Sequence, residues 1–102
     1  MSEPAPVRLD LNSPVFQRQL FALPKGGQSA VLNTLRKLLA MSWQQVYADG
    51  GLRWEAILSR VGPHGGRLDS LRIGHGFRAV AYRKGDWLRL LTLHPDHDTA
   101  YR

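Results

Sequence analysis

Apolar and polar positions change period once along this chain, near its middle. Val7, Leu9 and Leu11 alternate with Arg8, Asp10 and Asn12, the period of two that predicts a strand. Ser13-Pro14 then has the chemistry of a helix start, a hydroxyl N-cap followed by proline in the first turn. Phe16, Leu20 and Leu23 share one helical face, and Pro24-Lys25-Gly26-Gly27 is expected to end that helix. A second helix is expected from about Ser29, with Val31, Leu35 and Leu38 as its apolar stripe. Ser42 and Gln45 have capping-box spacing and open a short further turn reaching Tyr47. After Asp49-Gly50-Gly51 the period falls to two. Leu52 to Arg60, Arg67 to Ile73, Phe77 to Arg83 and Trp87 to Leu93 read as four strands separated by short glycine-rich loops. The predicted order is β-α-α-β-β-β-β, an α+β fold in which a two-helix hairpin packs on one face of an antiparallel sheet.

Parity sorts the sheet into two faces. Leu71, Ile73, Phe77, Ala79, Ala81, Leu88 and Leu90 form an apolar side for the helices to cover. The other side, expected to face water, holds Ser70, Arg72, Arg78, Val80, Tyr82, Trp87, Arg89, Leu91 and Leu93. A turn centred on Gly74-His75-Gly76 sets Arg72 opposite Arg78. Like charges directly opposite are unfavourable, so the pair points to an anion between them, or to two arginines splayed into water.

At 102 residues the chain is long enough for a single domain, with Met1 to Pro6 expected as a loose tail. No apolar run reaches the ~18 residues of a transmembrane helix, and the start lacks the pattern of a signal peptide. The absence of cysteine excludes thiolate metal sites and thiol nucleophiles and suits a reducing cytoplasm. Fourteen Lys+Arg, eleven of them arginine, against eight Asp+Glu give a net charge of +6. Such a balance points to nucleic acid or to an acidic protein partner.

Three groups carry candidate chemistry. Arg72 and Arg78 are placed to hold a phosphate. Glu55, one of two glutamates, is either a general base near them or a salt-bridge partner. His94-Pro95-Asp96-His97-Asp98, with Tyr101 beyond, supplies proton-transfer groups. Its two histidines and two aspartates lack a dependable metal-ligand geometry, and the run also reads as a polar C-terminal tail. His64 and His75 fall in loop tips and read as solvated turn residues. Tyr82 and Trp87 are either base-stacking surfaces or cross-strand packing.

Taken together, Phe16–Leu20 with Leu23-Pro24-Lys25, Gly51-Leu52-Arg53-Trp54-Glu55, Ser70-Leu71-Arg72-Ile73, Phe77-Arg78-Ala79-Val80-Ala81-Tyr82 and the His94–Tyr101 tail resemble the RelE/ParE superfamily of type II toxin–antitoxin toxins. The RelE-, YoeB- and HigB-like members are the nearest in pattern. The resemblance implies a ribosome-dependent, metal-independent endoribonuclease with no cofactor, which cuts mRNA by attack of a ribose 2′-OH on the adjacent phosphate. Carried over residue by residue, it implies Glu55 as base, Arg72 and Arg78 as phosphate clamp, and His94, His97 or Tyr101 as acid. It also implies RNA contacts from Arg53, Arg60, Arg67, Tyr82, Arg83, Lys84 and Arg89. The partners implied are a cognate antitoxin, the 70S ribosome with mRNA, and operator DNA through the antitoxin complex, with no membrane. The tail departs from the family pattern by placing two carboxylates beside the acid. The competing readings are a ParE-type DNA gyrase inhibitor and a non-toxic RNA-binding domain. On this reading Arg72→Ala and Arg78→Ala are each expected to abolish activity and leave the fold intact.

Overall fold

The computed structural model describes residues 4–62 and 65–96. Its chain order is β1 (Arg8–Asp10), α1 (Pro14–Ala22), α2 (Lys25–Leu39), α3 (Trp43–Ala48), β2 (Glu55–Ile57), β3 (Leu68–Gly74), β4 (Phe77–Lys84) and β5 (Trp87–His94). The five strands form one mixed sheet in the order β1-β5-β4-β3-β2. The four strands of the second half are antiparallel neighbours, as their short loops require. β1 instead pairs parallel to β5, with Leu9 beside Leu88, so the sheet is not purely antiparallel as expected. No turn links these two strands; they meet because β1 has a free apolar edge position beside β5.

Three element boundaries also differ from expectation. α2 begins at Lys25, so Gly26 and Gly27 lie inside its first turn, with Pro24 as N-cap residue. Proline ends the first helix and, by its fixed φ, starts the next. β2 is three residues long rather than nine, because the chain turns away from β3 after Ile57. The expected tail is tied down at Ala5 and Pro6: Ala5 accepts a hydrogen bond from the Trp43 N–H at 2.9 Å, and Pro6 bridges Ser42.

The helices cover one face of the sheet. Phe16, Val31, Leu35, Leu38, Trp43 and Val46 pack on Leu71, Ala79, Ala81, Leu88, Leu90 and Leu93. Leu93 was expected on the opposite face. The difference is a β-bulge: Ala81 pairs with Leu90 but Val80 pairs with Thr92, which leaves Leu91 unpaired and reverses the alternation beyond it. α1 supports the irregular backbone. The Ser13 hydroxyl donates to the Leu91 carbonyl at 3.1 Å, and the Gln19 side-chain carbonyl accepts from the Leu93 N–H at 2.7 Å. The same Ser13 oxygen accepts from the Phe16 N–H and so caps α1. Ser13→Ala removes both bonds. It is expected to lower stability by about 1–2 kcal/mol, read from the midpoint of urea unfolding.

The other face is not open to water. Ile57, Leu68, Val80 and Tyr82 form a second buried cluster, with Leu91 packed against it. The segment after β2 contributes to this layer: a side chain at Gly62 would meet Leu68 at 3.0 Å.

Candidate functional site

The β3–β4 hairpin turns at His75-Gly76, where Gly76 has φ +69°, a left-handed conformation that glycine adopts without strain. Gly74 pairs with Phe77 across the turn, and a register shift between Arg72 and Gly74 then sets Arg72 opposite Arg78, the pairing expected from the spacing. One strand further on, Arg78 lies opposite His94. The row Arg72–Arg78–His94 therefore crosses three adjacent strands on the face away from the helices. His94 belongs to it only because of the bulge at Leu91; strict alternation would have sent it under the helices with Leu88 and Leu90.

The two arginines differ in environment. Arg72 is half-buried, and its Nε reaches the Gly74 carbonyl at 3.4 Å. Arg78 is 3% exposed. Its Nε and Nη2 donate to the Ser70 hydroxyl at 3.1 and 2.8 Å, and Nη2 donates to the Arg53 carbonyl at 2.6 Å. Glu55 approaches Arg78 at 3.9 Å and Arg53 at 3.4 Å. Arg78 thus sits on the expected face but is not the water-facing guanidinium expected there. A cation at this depth is tolerated because its donors meet oxygen acceptors and a carboxylate.

Arg53 is the exposed counterpart. Its φ of +46° is rare for a residue with a side chain. The conformation is fixed from both sides, by Arg78 on its carbonyl and by its own N–H donating to the Asp49 carbonyl at 3.3 Å. Arg53, Arg72 and Arg78 line, with His75, an open cleft of ≈ 370 Å³ beside the hairpin turn. Glu55 stands at its edge, opposite Ser70 and one row from Arg72. β3 and β4 lie between β2 and β5, and Glu55 is offset by two residues along the sheet from the row of Arg78 and His94, so the backbones of Glu55 and His94 are separated by roughly 16 Å.

His94 Nε2 shares a hydrogen bond with Thr92 Oγ1 at 2.7 Å. Burial, and secondly the charge of Arg60, push the His94 pKa below its ordinary 6.5. Arg60, expected as an RNA contact, thus lies near enough to His94 to act on it. The neutral ring is the favoured form in the folded protein. Its contribution to stability is complete above pH 6.5 and is lost as pH falls through the lowered value. The melting temperature is expected to fall on acidification from pH 6.5, and His94→Gln to flatten that slope, in calorimetry. The carboxylates give a separate loss. Hydrogen bonds from the Asn12 backbone and from Arg89 lower the pKa of Asp10, and those from the Leu52 backbone and from Lys37 lower that of Asp49, so their contribution fades below pH 3.8.

The remaining candidates lie elsewhere. Arg89 donates to Asp10 at 2.6 Å and to the Tyr82 hydroxyl at 2.7 Å, joining β1, β5 and β4. Tyr82 is 8% exposed, which leaves its ring no open face for stacking. Arg67, Arg83 and Lys84 line a different cleft. His97 and Tyr101 lie outside the described residues, as do His64 and Asp98. Among the described residues no three His, Asp or Glu side chains converge as metal ligands, and no helix is long and apolar enough to cross a membrane. Ser70 and Thr92, which anchor Arg78 and His94, were not singled out in the sequence. The available signals were Thr92, two residues before His94 on the same strand, and Ser70, diagonal to Arg78 across the β3–β4 hairpin.

Comparison with known protein families, with curated proteins and with solved structures finds no match to this chain.

Proposed function

We propose that the protein is a RelE-like toxin of a type II toxin–antitoxin system that cleaves mRNA on the ribosome, and that its three-helix, five-strand fold is a variant of that family's topology. The supporting observation is the row Arg72–Arg78–His94, with Glu55 and Arg53 beside it on the same face. Strand scission at a ribose needs a base for the 2′-OH, cations for the crowded phosphorane, and a proton for the departing 5′-oxygen. Glu55 takes the 2′-OH proton, the 2′-oxygen attacks phosphorus, and the 5′-oxygen leaves protonated, giving a 2′,3′-cyclic phosphate. Arg72 and Arg53 meet the phosphoryl oxygens. Arg78, enclosed by protein acceptors, orients Glu55 and holds the Arg53 backbone. His94, favoured as the neutral ring, is poorly suited to be the acid at neutral pH and fits an orienting or accepting role. The acid is then His97 or Tyr101. An acidic antitoxin segment and the 70S ribosome are the proposed partners, with operator DNA reached through the antitoxin complex.

The burial of Arg78 favours a second reading, in which the row is structural and the protein binds without cutting, as a gyrase inhibitor or an RNA-binding domain. Reconstituted translation followed by primer extension separates the two. New 5′ ends on translated message, absent without ribosomes, are the expected result. Intact message with altered DNA supercoiling by purified gyrase would replace the nuclease with the gyrase reading. Intact message with unaltered gyrase activity would overturn both toxin readings.

A further inference from the structure

A second cleft lies beside α3 at the ends of β3 and β4 away from the His75-Gly76 turn, and so away from the cleft that Arg53, Arg72 and Arg78 line. Its volume of ≈ 470 Å³ falls within the range of small-molecule sites. Two aromatic rings form one side: Tyr47 and Trp54 stand edge to face, 6.0 Å between centroids. Tyr47 is half exposed, with the Arg83 guanidinium 5.8 Å from its ring centroid. Cations form the rim. Arg83 lies over the Trp43 ring at 4.4 Å and donates to the Tyr47 hydroxyl at 3.1 Å, which fixes its guanidinium over the aromatic group. Lys84 is exposed and has no ion-pair partner among the described residues. Arg67 donates to Asp69 at 2.6 Å while most of its side chain stays in solvent. Asp69 lies in the cleft wall at 4% exposure. Burial raises its pKa, against the opposing effect of Arg67.

Exposed aromatic surface beside three cations suits a flat ring that carries an anion. Asp69, buried in the wall, accepts from Arg67 and from Trp54 and so ties both to the cleft. We propose that this cleft binds a nucleotide, its base stacked on Tyr47 beside Trp54 and its phosphate on Lys84, Arg67 and Arg83. A carbohydrate phosphate without a base would forgo the stacking, and an uncharged ring would forgo the cationic rim. The site is independent of the cleavage reading, because binding of a mononucleotide involves no strand scission.

Isothermal titration of the full chain with guanosine 5′-monophosphate, and with ribose 5-phosphate as the base-free control, tests this. Saturable binding of the nucleotide, weaker by tenfold or more for the control, is expected. Tyr47→Ala and Lys84→Glu, both at exposed positions, are each expected to weaken nucleotide binding on the order of tenfold, whereas Arg36→Ala, exposed on α2 and outside the cleft, leaves it unchanged. Equal binding of nucleotide and control, or no binding at millimolar concentration, would overturn the proposal. So would binding that survives Lys84→Glu but is lost in Arg72→Ala, since the nucleotide would then occupy the arginine row.

Discussion

Arg78→Ala is expected to lower the free energy of unfolding by about 3 kcal/mol, whereas Arg72→Ala, on the facing residue of the same hairpin, costs less than about 0.5 kcal/mol. The two arginines share a cross-strand pair and a charge but not an environment. Removing Arg78 leaves the Ser70 hydroxyl and the Arg53 carbonyl without their donor and opens a void beneath them. It also releases the strained left-handed backbone at Arg53, which that bond holds. Arg72 makes one long bond to a turn carbonyl and is half exposed, so water replaces it readily. Urea unfolding of the two variants checks the contrast. Equal losses would show that burial is not what separates them. Arg78→Ala, expected on the toxin resemblance to spare the fold, is thus a poor test of activity, because a destabilised protein loses activity for any reason.

The second large effect is therefore sought in residues that the fold does not need. Glu55→Gln keeps the shape of the side chain and removes the base. It is expected to slow message cleavage by about 10²–10⁴-fold. Arg72→Ala removes an accessible cation and is expected to cost about 10²–10³-fold. Arg72→Ala should unfold at nearly the wild-type urea concentration, and Glu55→Gln, which takes the charge from beside the buried Arg78, at a modestly lower one, since Glu55 is 41% exposed and its closer ion pair is with the exposed Arg53. Primer extension on translated message gives the rates. Cleavage in Glu55→Gln within a few-fold of wild type would remove Glu55 as the base, and undiminished cleavage in Arg72→Ala would remove the cationic cleft from the reaction.

Local chemistry made much of this molecule legible. Ser13-Pro14 starts α1 where a hydroxyl cap and a proline dictate, and Ser42 with Gln45 caps α3 by the reciprocal bonds their spacing allows. Glycine turns at Gly76 and Gly85 set the hairpins, and the first, with the register shift between Arg72 and Gly74, sets Arg72 against Arg78. These features depend on contacts a few residues apart, which a sequence states directly.

The rest depended on contacts between distant segments. β1 joins β5 across nearly the whole chain, with no turn to announce it. The bulge at Leu91 carries no glycine or proline; Ser13 and Gln19, more than 70 residues earlier, supply its hydrogen bonds. That bulge turns Leu93 inward and His94 outward, so side chains on α1 support the histidine's place beside Arg78. The burial of Arg78 follows from Ser70, Glu55 and the Arg53 carbonyl closing around it. Residue order alone thus settled where most elements begin and that Arg72 shares a strand-pair face with Arg78. Only the packed structure decided which of those charges meets water, because burial is a property of what other segments cover.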